Sequence, residues 1–113
     1  MICEPWQVIV VPFPFTDRAT TRRRPALVLS AKQFNGHGHS VLAMITSASH
    51  QPWPGDTRLS DLKAAGLTTE SLVRLKIFTL DNRFVLRRLG TLAAPDRVAV
   101  STKLRRVMPL TSD

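Results

Sequence analysis

Three short apolar runs divide the first half of the chain, at residues 7–11, 25–30 and 41–46, and the first of them is rich in β-branched residues. Each is bounded by proline, glycine or polar turn residues. Runs of roughly four to eight residues suit buried strands and are too short for stable helices. We therefore predict three consecutive strands of one sheet. The first should end at the prolines of residues 12–15, and a polar loop at residues 16–24 should precede the second.

The segments after the third run predict a loop and two short elements. Residues 49–55 form a loop with a proline on each side of Trp53. Residues 57–59 fit a brief strand, and residues 61–66 fit a helical turn that ends at Gly66.

Apolar and basic residues alternate at residues 71–79. Leu72, Arg74 and Lys76 would share one face of a strand, and the residues between them would occupy the other. This is the period of a half-exposed strand, so we expect its exposed face to be basic.

The C-terminal region predicts an amphipathic helix. Ala94, Pro95 and Asp96 fit a helix start, because proline is tolerated at the first helical position and an acid suits the first turn. We expect the apolar stripe of this helix to pack on the sheet. The stripe consists of Val100, Leu104, Val107 and Met108.

The chain is short and has no repeat or linker, so residues 1–113 are predicted to form a single domain. At 113 residues it can build one core but not a separate cofactor-binding half. Short strands, tight turns and a terminal helix favour a mainly β fold, a small curved barrel with a C-terminal helix.

The chain is strongly basic, with 16 Lys and Arg against 8 Asp and Glu. The excess is mostly arginine, whose planar fork matches phosphate, so nucleic acid is the favoured anionic partner. A single cysteine, Cys3, excludes an internal disulfide and favours a reducing compartment. The N-terminus lacks a signal-peptide pattern and its apolar stretch stops at Pro12, so we expect a cytoplasmic protein without a membrane partner.

Two segments carry a family signature: residues 10–17 (VVPFPFTD) and residues 23–30 (RRPALVLS). Together with residues 43–46 (AMIT) and the segments 67–81 and 86–92, they resemble the MazF/PemK toxins of bacterial toxin–antitoxin pairs. The similarity runs in order through residues 4–108, so a chance match to one motif does not account for it.

The resemblance implies an SH3-like barrel, a homodimer and a sequence-specific endoribonuclease that cleaves single-stranded mRNA with no metal or other cofactor. It also implies neutralisation by a cognate antitoxin with an acidic or disordered C-terminal segment. The alternative is a non-enzymatic toxin of the same fold that inhibits DNA gyrase by protein contact, or a plain RNA-binding module.

The same resemblance places two catalytic residues, Arg24 before the proline of the second strand and Thr46 at the end of the third. Metal-free cleavage would use the 2′-hydroxyl of the RNA and leave a 2′,3′-cyclic phosphate and a 5′-hydroxyl. The Arg24 guanidinium would stabilise the phosphoryl oxygens, and Thr46 would orient the phosphate or the 2′-oxygen. Arginine stays protonated at neutral pH, so the sequence leaves the general base open.

RNA binding is assigned to five further residues: Arg22, Arg23, Asp17, Ser47 and Trp53. The two arginines would hold flanking phosphates, or else belong to a solvated loop. Asp17 could orient Arg24 or act as base, or it could cap a turn. Trp53 could stack on a base, or pack on the barrel edge. A basic segment at residues 74–106 could track RNA or receive an acidic antitoxin segment.

The chain departs from the family pattern at the start of the first strand. Many relatives have Gly-Asp there, whereas this chain has Trp6 and Gln7. The loop at residues 18–22 is also of unfamiliar sequence, which affects the expected substrate preference. Trp6, Phe13 and Phe15 are expected in the core.

The histidines offer two other interpretations. His37 and His39 have the i, i+2 spacing of a metal pair, although no third ligand is evident nearby. A ribonuclease that pairs His50 with one of them is the alternative, because imidazole can serve as both acid and base near neutral pH.

Overall fold

The computed structural model describes residues 1–13 and 22–110. Within these ranges the strands are β1 (Gln7–Phe13), β2 (Arg22–Val28), β3 (His39–Ser47), β4 (Thr57–Arg58), β5 (Ser71–Asp81) and β6 (Arg87–Thr91). The helices are α1 (Lys32–Asn35), α2 (Leu62–Ala65) and α3 (Ala94–Val107), with a 3₁₀ turn at Asn82–Phe84. None of these helices combines the length and apolar character needed to cross a bilayer.

The strands form one curled antiparallel sheet in the order β4-β5-β3-β2-β1-β6. The first three strands of the chain are neighbours in it, as their sequence predicts. The brief fourth strand and the C-terminal helix are confirmed as well. The prediction of a mainly β, strongly curved fold with a C-terminal helix is therefore confirmed, and the curled sheet forms a half-barrel.

One predicted boundary between β1 and β2 was wrong. β1 ends at Phe13, within the proline segment as expected, but β2 already begins at Arg22, paired with Phe13, where a loop was predicted. Pairing with β6 stops at Val10, so the end of β1 has a neighbour on one side only. A proline is compatible with such an edge position, because a missing N–H costs no ladder bond on the open side. The core assignment of Phe15 lies outside the described residues.

The predicted basic face of β5 was wrong at Arg74. Arg74 is only 9% exposed, whereas Lys76 is exposed as expected. The register shifts here, because Ala43 pairs with Ile77 but the next residue, Met44, pairs with Arg74. This bulge interrupts the strict alternation on which the prediction depended.

Two buried clusters hold the sheet. The first brings together strand residues such as Val8 and Ile45 with Ala65 of α2 and Val100 of α3, and Trp6 packs against it, as expected of a core residue. The second includes Ile9, Val11, Ala26, Val28, Leu42 and Cys3. In β2, Leu27 belongs to the first cluster and its neighbours Ala26 and Val28 belong to the second, so both faces of this central strand are covered.

Trp6 has a φ of 73°, in the left-handed region that favours glycine. Its N–H donates to the Val28 carbonyl at 2.8 Å, and its own carbonyl accepts from Leu92 N–H at 2.9 Å. These two bonds hold Trp6 in the left-handed conformation. The tryptophan ring contributes apolar packing that a glycine would lack.

Helix α3 begins where predicted, with Pro95 in its first turn. Val100 is fully buried, but Val107 is 50% exposed. The predicted apolar stripe therefore packs at Val100 and is largely uncovered at Val107. Asp96 fixes the start of the helix, because its carboxylate accepts from Ser60 and Asp61 N–H groups at 2.9 to 3.1 Å.

Helix α2 lies against β6 through a contact between two glycines. Gly66 ends α2 with a φ of 73°, and a Cβ added there would lie 2.1 Å from the Leu89 carbonyl oxygen. A Cβ on Gly90 would lie 2.3 Å from the Ala64 carbonyl oxygen. Only glycine permits this approach, which fills the side of the half-barrel between β6 and β5.

Candidate functional site

A cleft opens where β2 and β3 separate. Their ladder ends at Ala26 and Met44. The next residue of β2 is Pro25, which has no N–H to donate. Continuing the register would place Arg24 directly opposite Thr46, but each pairs on its other side, Arg24 with Val11 and Thr46 with Leu72. The separation of the two strands thus leaves the two predicted catalytic residues on opposite walls.

The cleft has a volume of about 370 Å³ and is lined by β2, β3, β6 and the connection between α2 and β5. Two cations, Arg24 and Arg87, reach it. The hydroxyl-bearing lining residues are Thr46, Ser47, Thr68, Thr69 and Ser71. A lining of cations and hydroxyls with no carboxylate suits an anionic, hydrogen-bonding ligand.

Arg24 carries an unsatisfied donor. Its Nε is buried and has no hydrogen-bond partner in the structure, the one such side-chain atom among the described residues. Buried polar groups are nearly always paired, so an orphaned donor on a cleft wall indicates a ligand acceptor. No ion pair in the described part of the chain uses this guanidinium.

Thr46 contacts a histidine that the sequence did not connect with it. The Oγ1 atom of Thr46 lies 2.7 Å from Nδ1 of His50. Thr46 is 5% exposed, whereas His50 lies at the surface. The four-residue separation in a loop carries no periodic signal, so only the turn that follows β3 reveals the contact.

The remaining predicted RNA-binding residues are placed differently. Ser47 lines the cleft, but Arg22 and Arg23 lie exposed on β2 outside the lining. Trp53 is 42% exposed and also lies outside it, with Lys76 Nζ 4.5 Å from its ring centroid. Asp17 lies outside the described residues.

Arg87 is the cleft residue that sequence reasoning missed. It was one of many arginines in a basic segment, and nothing in its neighbourhood distinguishes it from Arg88. The structure separates the two, because Arg87 lines the cleft whereas Arg88 donates through Nη2 to the Ile2 carbonyl at 3.1 Å.

The paired-histidine interpretation does not fit the structure. His39 begins β3 and pairs with Asp81, while Thr46 is seven residues further along the strand. That spacing is roughly 23 Å at the usual rise of a strand. His50 therefore lies at the far end of β3 from His37 and His39. Across residues 1–13 and 22–110, no three His, Cys, Asp or Glu side chains are grouped as metal ligands would be.

The loop after His50 is anchored by a nearly buried ion pair. Arg74 donates to Asp56 through Nε at 3.1 Å and Nη2 at 3.0 Å, and Nη2 also reaches the Gln51 carbonyl at 2.7 Å. Asp56 in turn accepts from the Trp53 N–H at 2.9 Å. Lys103 of α3 donates to the Asp56 carbonyl at 2.7 Å. These bonds connect the loop with β5 and α3.

Solved structures with the same fold come from toxin–antitoxin systems. The chain resembles a MazE–MazF complex from Deinococcus radiodurans, with a TM-score of 0.78, 23% identity and coverage of 98% of this chain and 100% of that one. It also resembles an endoribonuclease in complex with its cognate antitoxin from a mycobacterial species, with a TM-score of 0.75, 17% identity and coverage of 98% and 99%. The Mycobacterium tuberculosis toxin MazF-mt6 aligns with a TM-score of 0.73, 19% identity and coverage of 93% and 98%.

No curated protein matches the chain. A family model, described as the PemK-like, MazF-like toxin of type II toxin–antitoxin systems, matches residues 4–108. That range includes both walls of the cleft, with Arg24 before its proline and Thr46 at the end of β3. The chain belongs to the PemK-like, MazF-like family of toxins of type II toxin–antitoxin systems.

Proposed function

We propose that this toxin is an endoribonuclease that cleaves single-stranded mRNA without a metal, using the 2′-hydroxyl of the substrate. The observation that carries the proposal is the buried, unpaired Nε of Arg24, on the wall of a cleft whose other wall holds Thr46. The names of the mycobacterial structures, an endoribonuclease among them, support the same activity.

In the proposed reaction the 2′-oxygen attacks the adjacent phosphorus. The 2′-oxygen to phosphorus bond forms, the phosphorus to 5′-oxygen bond breaks, and the products are a 2′,3′-cyclic phosphate and a 5′-hydroxyl. The proton of the 2′-hydroxyl leaves to an acceptor, and a proton is delivered to the 5′-oxygen. Charge that develops on the phosphoryl oxygens is stabilised by donors fixed in advance, which is the role of the Arg24 guanidinium.

The remaining cleft residues bind and orient the RNA. Thr46 orients the scissile phosphate or the 2′-oxygen, and Ser47 contributes a hydroxyl beside it. Arg87 holds a flanking phosphate from β6. Arg22, Arg23 and Trp53 act on the RNA further from the reacting bond, and Trp53 offers its exposed ring for stacking. Asp17 is proposed as an RNA-binding residue on the family resemblance alone.

Two protein partners complete the proposal, an antitoxin with an acidic segment and a second copy of the chain. Large apolar side chains are exposed at the N-terminus, on α1 and at the β5–β6 connection, which is unusual for a monomer. These side chains are Ile2, Phe34, Phe84 and Leu86. Light scattering on the purified toxin should give twice the chain mass, and a monomer at micromolar concentration would contradict the homodimer.

The test of the activity compares the wild type with Arg24→Ala on a long single-stranded RNA in excess EDTA. Discrete wild-type cuts with 5′-hydroxyl ends are expected, and the variant should cleave at least about 100-fold more slowly. Arg88→Ala is the matched control, because Arg88 is an exposed arginine outside the cleft lining and donates to the Ile2 carbonyl instead. Equal cleavage by the wild type and Arg24→Ala would remove Arg24 from the mechanism. A folded, antitoxin-free wild type that leaves several RNAs intact would favour a toxin that acts by protein contact.

A further inference from the structure

The Thr46 hydroxyl is held by a histidine. His50 Nδ1 lies 2.7 Å from Thr46 Oγ1, and the intervening residues form a tight turn. The His50 N–H donates to the Ser47 carbonyl at 3.2 Å, and the Ser49 N–H donates to Ser47 Oγ at 3.3 Å. The backbone of the turn thus holds the imidazole next to a hydroxyl on the cleft wall.

A hydroxyl has one proton, so its two neighbours compete for it. If Nδ1 of His50 is the acceptor, the Thr46 hydroxyl donates its hydrogen bond to the imidazole and presents only lone pairs to the cleft. If Nδ1 carries a proton, Thr46 accepts from it and can donate its own proton to a ligand. Whether Nδ1 of His50 carries a proton therefore decides whether Thr46 is a donor or an acceptor towards the ligand, and in the charged imidazole it always does.

We propose that His50 is a positioning residue, and that in the RNA complex its charged imidazole donates to Thr46, which in turn donates to a phosphoryl oxygen. The inference rests on the proposed function, because it assigns the direction of a hydrogen bond within that site. The charged imidazole also places an additional positive charge beside the cleft, and the Thr46 hydroxyl links it to the phosphate by hydrogen bonds.

The proposed hydrogen bond complements the charge of the ligand. Arg24 and Arg87 line the cleft together with Thr46, so a phosphate bound there lies next to the Thr46 hydroxyl. Two other pairs of charged side chains near the ends of β3 and β5 are already formed, Arg74 with Asp56 and Glu70 with Arg58.

The experiment measures single-turnover cleavage from pH 5.5 to 8.5 for the wild type, His50→Ala and His50→Asn. His50→Ala should be about tenfold slower at pH 6, and the ratio of wild-type to variant rate should fall towards one as the imidazole loses its proton. His50→Asn should recover part of the rate without that pH dependence, because its amide donates at every pH. His39→Ala, an exposed histidine at the opposite end of β3, should match the wild type.

Two further measurements separate positioning from a merely structural role. In a Thr46→Val background, His50→Ala should cause no additional loss, since the proposed path runs through Thr46. The nitrogen NMR signal of His50 Nδ1 without RNA should change when Thr46 becomes valine, because the hydroxyl contact is lost. Additive effects, an unchanged pH dependence in His50→Ala or an unchanged Nδ1 signal would each overturn the inference while leaving the nuclease intact. Absence of cleavage by the wild type would instead overturn the proposed function, and the NMR signal would still decide the Thr46–His50 contact.

Discussion

Arg74 and Asp56 form an ion pair at 3.0 Å in which both side chains are largely covered, with exposed fractions of 11% and 13%. The hydrogen bond to Asp56 outweighs the effect of burial and raises the pKa of Arg74, so the guanidinium stays charged. The pair holds the loop between His50 and β4 at two points, because Arg74 donates to the Gln51 carbonyl and Asp56 accepts from the Trp53 N–H. The position of this loop therefore depends on the ion pair.

Asp56→Asn should lower the free energy of unfolding by about 2 kcal/mol, because it leaves Arg74 charged and poorly paired. Urea unfolding at pH 7 measures the loss. Glu70→Gln is the matched control, since Glu70 pairs with Arg58 at the surface with exposed fractions of 75% and 66%. That change should cost less than about 0.5 kcal/mol. Equal losses for the two variants would mean that the burial of the Arg74 pair contributes nothing.

Asp96 should make stability depend on pH in the acid range. Burial alone would raise its pKa, but hydrogen bonds from the Ser60 and Asp61 N–H groups and the Ser60 hydroxyl outweigh burial and lower it below 3.8. The unfolded state then binds more protons than the folded state, so this contribution is full above about pH 4 and is lost as the pH falls through the folded value. At pH 7, Asp96→Asn should cost about 1–2 kcal/mol.

Urea unfolding of the wild type and Asp96→Asn at intervals between pH 7 and pH 2.5 tests this. The gap between the two curves should narrow only on the acid side of pH 4. A constant gap over the whole range would show that the carboxylate charge is not what stabilises the start of α3.

Gly90→Ala should disrupt the contact between α2 and β6. The new Cβ would meet the Ala64 carbonyl oxygen at 2.3 Å, and a backbone atom cannot move aside as a flexible side chain can. We expect a loss of about 2–3 kcal/mol in urea unfolding. Gly36→Ala is the control, because its nearest neighbour would be 3.4 Å away. Equal stability of Gly90→Ala and the wild type would show that α2 can move without cost.

Arg87→Ala should weaken RNA binding, whereas Arg88→Ala should not. Arg87 lines the cleft, and its neighbour instead donates to the Ile2 carbonyl. Removal of one phosphate contact should reduce the slope of log affinity against log salt by about 0.7 for single-stranded RNA. The measurement uses an RNA with a 2′-deoxy group at the cleaved position. The same slope for both variants would exclude a phosphate contact at Arg87.

The sequence predicted the sheet because its signals were local. Short β-branched runs specified the strands, and the Gly66 and Pro95 positions specified where helices end and begin. It failed at Arg74, because a bulge depends on how two distant strands meet and leaves no mark in the alternation of either one. It missed α1, a helix of four residues whose N-cap, Ala31, makes no side-chain cap.

The sequence predicted only part of the candidate site. Arg24 and Thr46 came from the family signature, and the structure brings both to one cleft. His50 and Arg87 have no signature of their own, since their positions depend on a turn and on a strand that pairs with β1. Arg22 and Arg23 were predicted to bind RNA because they precede Arg24 in a run of three arginines. In the structure only Arg24 lines the cleft, and the other two lie further along β2.

The end of the β2–β3 ladder at Pro25 has a mechanical consequence. Arg24 is fastened to β1 and Thr46 to β5, so the two walls belong to two leaves that meet at Ala26 and Met44. No ladder hydrogen bond joins Arg24 to Thr46, so the gap between the guanidinium and the hydroxyl is set by the packing of the core that the two strands share. Leu27 of β2 and Ile45 of β3 are buried in the same cluster, so a change of side-chain volume there would alter the width of the cleft.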